Sequence, residues 1–249
     1  MLVSKYSASG NDFVIFQTDK KTDRQDLAKI ICDRHEGVGA DGMIVVLPSD
    51  KCDFEWQFYN SDGSAASMCG NGSRACAHYA FTNGIASKKM RFLTGAGIIK
   101  AEVDGDVAEV ELTKSKKLSE PFEKYGLIWH FYDTGVPHLI SIVDNLDIFN
   151  LEIAKKMRYN YNANVNFATI KNHDELFVRT YERGVEDETL ACGTGMAAAF
   201  FTAFNIGLIK AAATVIPKSK EQLFLSANGE KILFKGKVKL TFTANFNQG

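Results

Sequence analysis

Two short segments of the chain carry the residues best suited to proton-transfer chemistry. They are Cys69-Gly70-Asn71-Gly72-Ser73-Arg74-Ala75 and Cys192-Gly193-Thr194-Gly195-Met196-Ala197-Ala198, with their cysteines 123 positions apart. In each, a cysteine precedes small residues and then an apolar run of helical character, which puts the sulfur at or near a helix N-terminus. There the backbone N–H groups lack intrahelical partners and the dipole is positive. Such an end favours a thiolate or a bound carboxylate, and the glycines let a ligand approach the backbone. A helix end contributes about 0.3–1 kcal/mol, rising to ~2 when partly buried. Since one pKa unit is about 1.4 kcal/mol, a thiol near 8.5 falls by about one. Thiol and thiolate are then both accessible near neutral pH. Two neighbouring thiols also resist joint ionisation, leaving one acid and one base, as inversion at a carbon centre requires.

Other polar groups cluster around the two turns. Asn60-Ser61-Asp62-Gly63 precedes Cys69, and Glu182-Arg183-Gly184 precedes Cys192. Asn11, Asn60, Asn71 and Asn164 are neutral amides able to bind an amino group and a carboxylate. Arg183 can grip a carboxylate bidentately or pair with a nearby acid. His138 can orient or polarise a thiol, or serve as a structural strand residue. Cys32, Cys52 and Cys76 read as small core hydrophobes.

The elements that must hold these residues occur twice. In the first half a helix over 23–34 places Leu27, Ile30 and Ile31 on one face. Strands over 43–47 and 54–59 flank the turn Pro48-Ser49-Asp50. A polar loop then leads to Cys69 and a helix through Phe81. In the second half the order recurs: a helix over 151–158, a strand over 165–170, the turn Asn172-His173-Asp174, a strand over 176–181, an acidic loop, Cys192 and a helix through Phe204. Asn83-Gly84-Ile85 and Ile206-Gly207-Leu208 supply glycine stops. Ser9-Gly10-Asn11 and Thr134-Gly135-Val136 hold matching offsets. Each half closes in hairpin-like sequence, over 98–113 and 223–246. The expected fold is α+β, with two pseudo-symmetric domains, each a mixed or antiparallel sheet curled around its cysteine helix. The N-terminal half spans 1–115, completed by a C-terminal strand near 238–249, and the C-terminal half spans 116–237. The active site is expected in the cleft between them, and the charged stretch Lys114 to Glu120 reads as the linker.

The whole chain sets limits. It has 249 residues, 45% hydrophobic and 24% charged, with a net charge of −1. That composition suits a globular protein with a sizeable core and gives no basis for nucleic-acid or anionic-membrane capture. Lys114, Lys116 and Lys117 form a solvated basic cluster. The N-terminus lacks signal-peptide features, and the apolar stretch 196–209 contains Asn205 and Gly207, fitting a core helix and not a membrane span. Five cysteines without framework spacing suggest reduced thiols in the cytoplasm. The Asn71-Gly72-Ser73 acceptor match is idle without secretion. Gly37-Val38-Gly39-Ala40-Asp41-Gly42 fits the dinucleotide-binding pattern, but it follows a helix and precedes a strand, the reverse of what that fingerprint needs.

Taken in order, Ser9-Gly10-Asn11-Asp12-Phe13-Val14, Asn60-Ser61-Asp62-Gly63, the Cys69 turn, Gly135-Val136-Pro137-His138, Asn164-Val165-Asn166-Phe167, Glu182-Arg183-Gly184 and Thr189 to Gly195 resemble the diaminopimelate epimerase family over nearly the whole chain. The resemblance implies interconversion of LL- and meso-diaminopimelate, with no pyridoxal phosphate or other cofactor and no metal. It implies Cys69 and Cys192 as the acid/base pair, with His138 and Glu182 tuning the thiols. Asn11, Asn60, Gly70, Asn71, Asn164, Glu182, Arg183, Gly193 and Thr194 would bind the amino-acid substrate. It further suggests a homodimer. Gly42 and Val136 depart from the Gln and Asn of some family members, and Asp187 lengthens the loop 184–189. Rival readings are a proline or hydroxyproline racemase, a thiol redox protein and a non-catalytic amino-acid-binding module.

Overall fold

The computed structural model describes residues 1–112, 114–229 and 231–247. Thr113, the last residue of the first expected hairpin, lies outside the described residues. The chain divides into two compact units, one of residues 1–111 and 235–249, the other of residues 112–234.

The first unit runs β1 (Leu2–Ala8), β2 (Asn11–Gln17), α1 (Gln25–Cys32), β3 (Gly42–Leu47), β4 (Phe54–Asn60), α2 (Gly70–Thr82), β5 (Lys89–Thr94), β6 (Gly97–Asp104) and β7 (Val107–Glu111). β2 and β3 are parallel, β3 and β4 antiparallel, β4 and β5 parallel, and β5–β7 antiparallel. α2 packs against β1, β2, β3, β6 and β7. Nearly every residue of α2 up to Ala80 is buried, as expected of a helix enclosed by its sheet. On the outer face α1 covers Val14, Met43 and Val45 with Ala28, Ile31 and Cys32.

The second unit runs β8 (Lys116–Lys124), β9 (Leu127–Asp133), β10 (Pro137–Ile142), α3 (Leu151–Tyr161), β11 (Asn164–Asn172), β12 (Glu175–Glu182), β13 (Asp187–Thr189), α4 (Gly193–Asn205), β14 (Ala212–Pro217) and β15 (Leu223–Asn228). β16 (Lys231–Lys237) carries the chain back toward β17 (Lys239–Asn245), which pairs antiparallel with β1. The internal plan repeats that of the first unit. β10 and β11 are parallel, β11 and β12 antiparallel, β12 and β14 parallel, and β14 and β15 antiparallel. α4 is enclosed by β9–β12, β14 and β15, while α3 seals Leu139, Val165 and Phe167 with Ala154 and Met157.

Several local expectations change. Ile30 is 57% exposed, because α1 turns Ala28 and Cys32 inward with Ile31. Residues 116–120, expected as linker, form the start of β8, which pairs antiparallel with β9 across two register shifts. Lys116 and Lys117 nevertheless stay exposed. Cys32 and Cys76 are buried, but Cys52 is only half-buried, since it sits in the turn before β4. The 37–42 stretch follows α1 and enters β3. Gly84 and Gly207 adopt positive φ just past α2 and α4, the glycine stops the sequence implied.

Candidate active site

Cys69 and Cys192 both occupy the N-cap position of a 13-residue helix, in extended backbone conformation. Cys69 Sγ accepts the N–H of Gly72 at 3.3 Å, satisfying one of the helix's orphan donors. Cys192 makes no such cap bond; its sulfur lies 3.6 Å from the Thr194 hydroxyl.

Around Cys69 the amides form a directed chain. Asn71, 1% exposed, donates to Asn11 Oδ1 at 2.6 Å, and Asn11 donates to Asp41 Oδ2 at 3.1 Å. The chain is anchored at one end by Arg74, fully buried, whose guanidinium donates to Asn71 Oδ1, Ser9 Oγ and the Lys237 carbonyl. At the other end Arg34 bonds both Asp12 and Asp41, and Lys5 pairs with Asp12 at 2.8 Å. Burial works to raise the Asp12 pKa, but hydrogen bonds from Arg34 and Lys5 outweigh it and hold the carboxyl down at about 2. Asn60, half-buried, donates to Ser64 Oγ at 2.9 Å. Beneath the Cys69 turn the floor is apolar. A Cβ at Gly72 would meet Ile44 and Phe13 at 3.3 and 3.4 Å, and Phe13 packs edge-on against Phe58. A Cβ at Gly42 would approach Phe58 to 2.7 Å and the Tyr59 carbonyl to 2.9 Å, so a longer side chain there has no room.

Around Cys192 the floor is polar. His138 is fully buried and its ring bonds Thr194 Oγ1 through Nε2 at 2.9 Å and Asn166 Nδ2 through Nδ1 at 3.0 Å. Burial, aided by the Arg183 charge and opposed by Asn166, pushes its pKa down to about 3, so the ring is neutral at pH 7. Asn164 accepts the Arg183 backbone N–H at 2.7 Å, while the Arg183 guanidinium donates to the Asn162 carbonyl. Glu182 ends β12 half-buried. A Cβ at Gly195 would overlap the Asn166 amide oxygen and come within 3.1 Å of Thr180 Oγ1. The second glycine of this turn therefore admits a polar floor. Asp187 begins β13, and Arg158 holds Glu186 at 2.6 Å, so the 184–189 loop is tethered.

Within each unit the hydrogen bonds thus join Asn11 with Asn71, and His138 with Asn166 and Thr194, with the Asn164 amide nitrogen 3.4 Å from the same ring. Sequence reasoning gave no role to Arg74, Ser9, Asp41, Asn166 or Thr180. Asn166 had a usable signal: it follows Asn164 by two positions in a strand and so shares its face. Among the described residues no His, Cys, Asp and Glu cluster suits a metal ion.

The diaminopimelate epimerase family model matches residues 3–118 and 130–240. The diaminopimelate epimerase of a Nitratiruptor species is 57% identical over 249 residues, covering 100% of this chain and 99% of that protein. That of Campylobacter lari is 53% identical and covers 98% of each. Among solved structures, a probable proline racemase from Agrobacterium radiobacter superposes with a TM-score of 0.76 at 11% identity, covering 100% of this chain and 93% of that one. That last likeness speaks to the fold alone.

Proposed function

The chain belongs to the diaminopimelate epimerase family, and from that membership we propose that it interconverts LL- and meso-diaminopimelate by two-base proton transfer between Cys69 and Cys192, without pyridoxal phosphate. The observation that carries the reading is the duplicated N-cap: each sulfur opens a Cys-Gly-x-Gly turn at the positive end of a buried helix. One sulfur, as thiolate, takes the α-proton from one face, and the C–H electron pair stays on the α-carbon. The other, as thiol, delivers its proton to the opposite face and becomes the thiolate. The chemistry requires both sulfurs at one α-carbon.

The neutral donors suit the remaining substrate groups. Asn11, Asn60, Asn71 and Asn164 present amides, and backbone N–H groups from Gly70, Gly193 and Thr194 face the helix ends, where a carboxylate is favoured. Arg183 meets the distal end of the substrate, and Glu182 its ammonium. His138 and Glu182 tune the thiols.

We place the protein in the cytoplasm, where its thiols stay reduced; no helix among the described residues is long and apolar enough to cross a membrane. A homodimer fits the apolar exposure of β17, where Leu240 and Phe242 are each 44% exposed.

The test is incubation with LL-diaminopimelate in deuterium oxide, with reductant and no added cofactor. Deuterium should enter at one α-carbon as the meso isomer appears, and proline should give no exchange. Cys69→Ala and Cys192→Ala should each nearly abolish turnover; wild-type rates in either would end the two-base assignment.

A further inference from the structure

We infer that Asn166 is a positioning residue for Cys192: with Thr180 behind it, it locks His138 into the tautomer protonated on Nε2, which leaves the Thr194 hydroxyl free to donate to the Cys192 sulfur. The inference rests on the acid/base reading of Cys192, but the hydrogen-bond logic stands on geometry.

The orientation of the Asn166 amide is fixed by two groups of unequal versatility. Its Nδ2 lies 3.0 Å from the Leu139 carbonyl oxygen, a pure acceptor, so the nitrogen must face it. Its Oδ1 then accepts the Thr180 hydroxyl at 2.8 Å. The second N–H of Nδ2 points at His138 Nδ1, 3.0 Å away. A nitrogen that accepts cannot carry a proton, so Nδ1 is bare, and the proton of the neutral ring sits on Nε2. Nε2 lies 2.9 Å from Thr194 Oγ1 and donates to it. With its lone pair occupied, the Thr194 hydroxyl turns its own hydrogen to Cys192 Sγ at 3.6 Å. Asn164, whose Oδ1 accepts the Arg183 N–H, also turns its amide nitrogen to the ring, but at 3.4 Å from Nε2 against 3.0 Å at Nδ1 it is the weaker of the two competing donors and makes no hydrogen bond under this tautomer. No proton travels along the chain Thr180–Asn166–His138–Thr194–Cys192. Each bond only fixes the direction of the next, and the last one is strengthened when the sulfur is a thiolate. Arg183, whose charge bears on His138, disfavours an imidazolium and so keeps the relay neutral.

The first unit shows that this relay is not a by-product of the fold. The registers of the equivalent strands align His138 with Phe13, Asn166 with Ile44 and Thr180 with Phe58. The polar triplet under Cys192 is replaced by an apolar triplet under Cys69. A core position filled by Ile and Phe in one copy and by a fully bonded Asn, His and Thr in the other carries a desolvation cost that packing alone does not explain.

Long-range proton–nitrogen NMR of the full-length protein labelled with ¹⁵N-histidine reads the tautomer directly, with His138→Gln assigning the signal. The expected result at pH 7 is a protonated Nε2 and a bare Nδ1; a proton on Nδ1, or an imidazolium, overturns the proposal without any floor variant having to fold. In the isosteric Asn166→Leu, the pH midpoint of Cys192 alkylation should rise by about one pH unit while that of Cys69 stays put. kcat should fall about tenfold with little change in KM. Thr180→Val should move Cys192 the same way by less. A folded Asn166→Leu with an unmoved Cys192 midpoint refutes the role. Both readouts are independent of turnover, so failure of the epimerase reading would show separately.

Discussion

Arg74, a fully buried cation, donates to the amide oxygen of Asn71 at 2.8 Å, one helical turn beyond the Cys69 cap. That bond sets which way the Asn71 amide points, and through it which atom Asn11 offers. Replacing Arg74 with Leu strips donors from Asn71, Ser9 and the Lys237 carbonyl together. At about 1–3 kcal/mol for each buried group left unsatisfied, Arg74→Leu should lose at least about 3 kcal/mol in urea unfolding. Arg74→Lys should recover part of that loss while leaving KM raised, because an ammonium cannot reproduce the fork.

Gly195 and Gly72 hold the same place in their turns but face different floors. Gly195→Ala drives its methyl into the Asn166 oxygen and should cost about 2 kcal/mol or more. Gly72→Ala meets only the side chains of Ile44, Phe13 and Cys69 at 3.3–3.4 Å, and gains helix propensity, so its cost should stay below about 1 kcal/mol. Equal losses in paired unfolding curves would contradict the polar-floor geometry.

The neutral, buried His138 makes stability depend on pH. Its native pKa is depressed to about 3, chiefly by burial, against about 6.5 in the unfolded chain. Below about pH 6.5 the unfolded chain therefore takes up a proton that the native state refuses, and stability falls as pH falls. The decline from this group approaches about 1.4 kcal/mol per pH unit. Urea unfolding at about pH 7, 6 and 5 should show it, and His138→Gln should flatten the slope. His78 and His130, also lowered by burial, would leave a residual decline.

Burial pushes the Cys32 thiol up to about 12 and the Cys76 thiol higher still. Neither should react with iodoacetamide in the native protein near neutral pH, and both should label fully in denaturant, as read by peptide mass spectrometry. Early labelling of Cys76 would mean that the α2 enclosure opens.

The duplicated plan was legible because periodicity and glycine punctuation recur in the same order in each half. The helix, strand, turn, strand and Cys-Gly-x-Gly series all appear within a few residues of their expected places. The strand at Lys116 was hidden because its residues are charged and exposed, and only pairing with β9 defines it. Ile30 misled because a three-residue apolar spacing does not say which of two adjacent faces meets the sheet. The family resemblance nominated the residues thought to touch substrate. It gave no role to Arg74, Asn166 or Thr180, whose parts depend on neighbours far away in the chain. Whether a buried Asn or Thr is a turn former or a link in a relay is decided by register, which only the folded chain displays.

β17, the last strand, hydrogen-bonds along β1, the first, and the α-amino group of Met1 donates to the Phe246 carbonyl. The opening strand therefore lacks one of its two partners until β17 is in place. Arg74 waits as long for the Lys237 carbonyl. The other unit is one continuous stretch of chain, whereas the unit holding Cys69 must join a segment before that stretch to one after it, so its closure carries the larger loop-entropy cost.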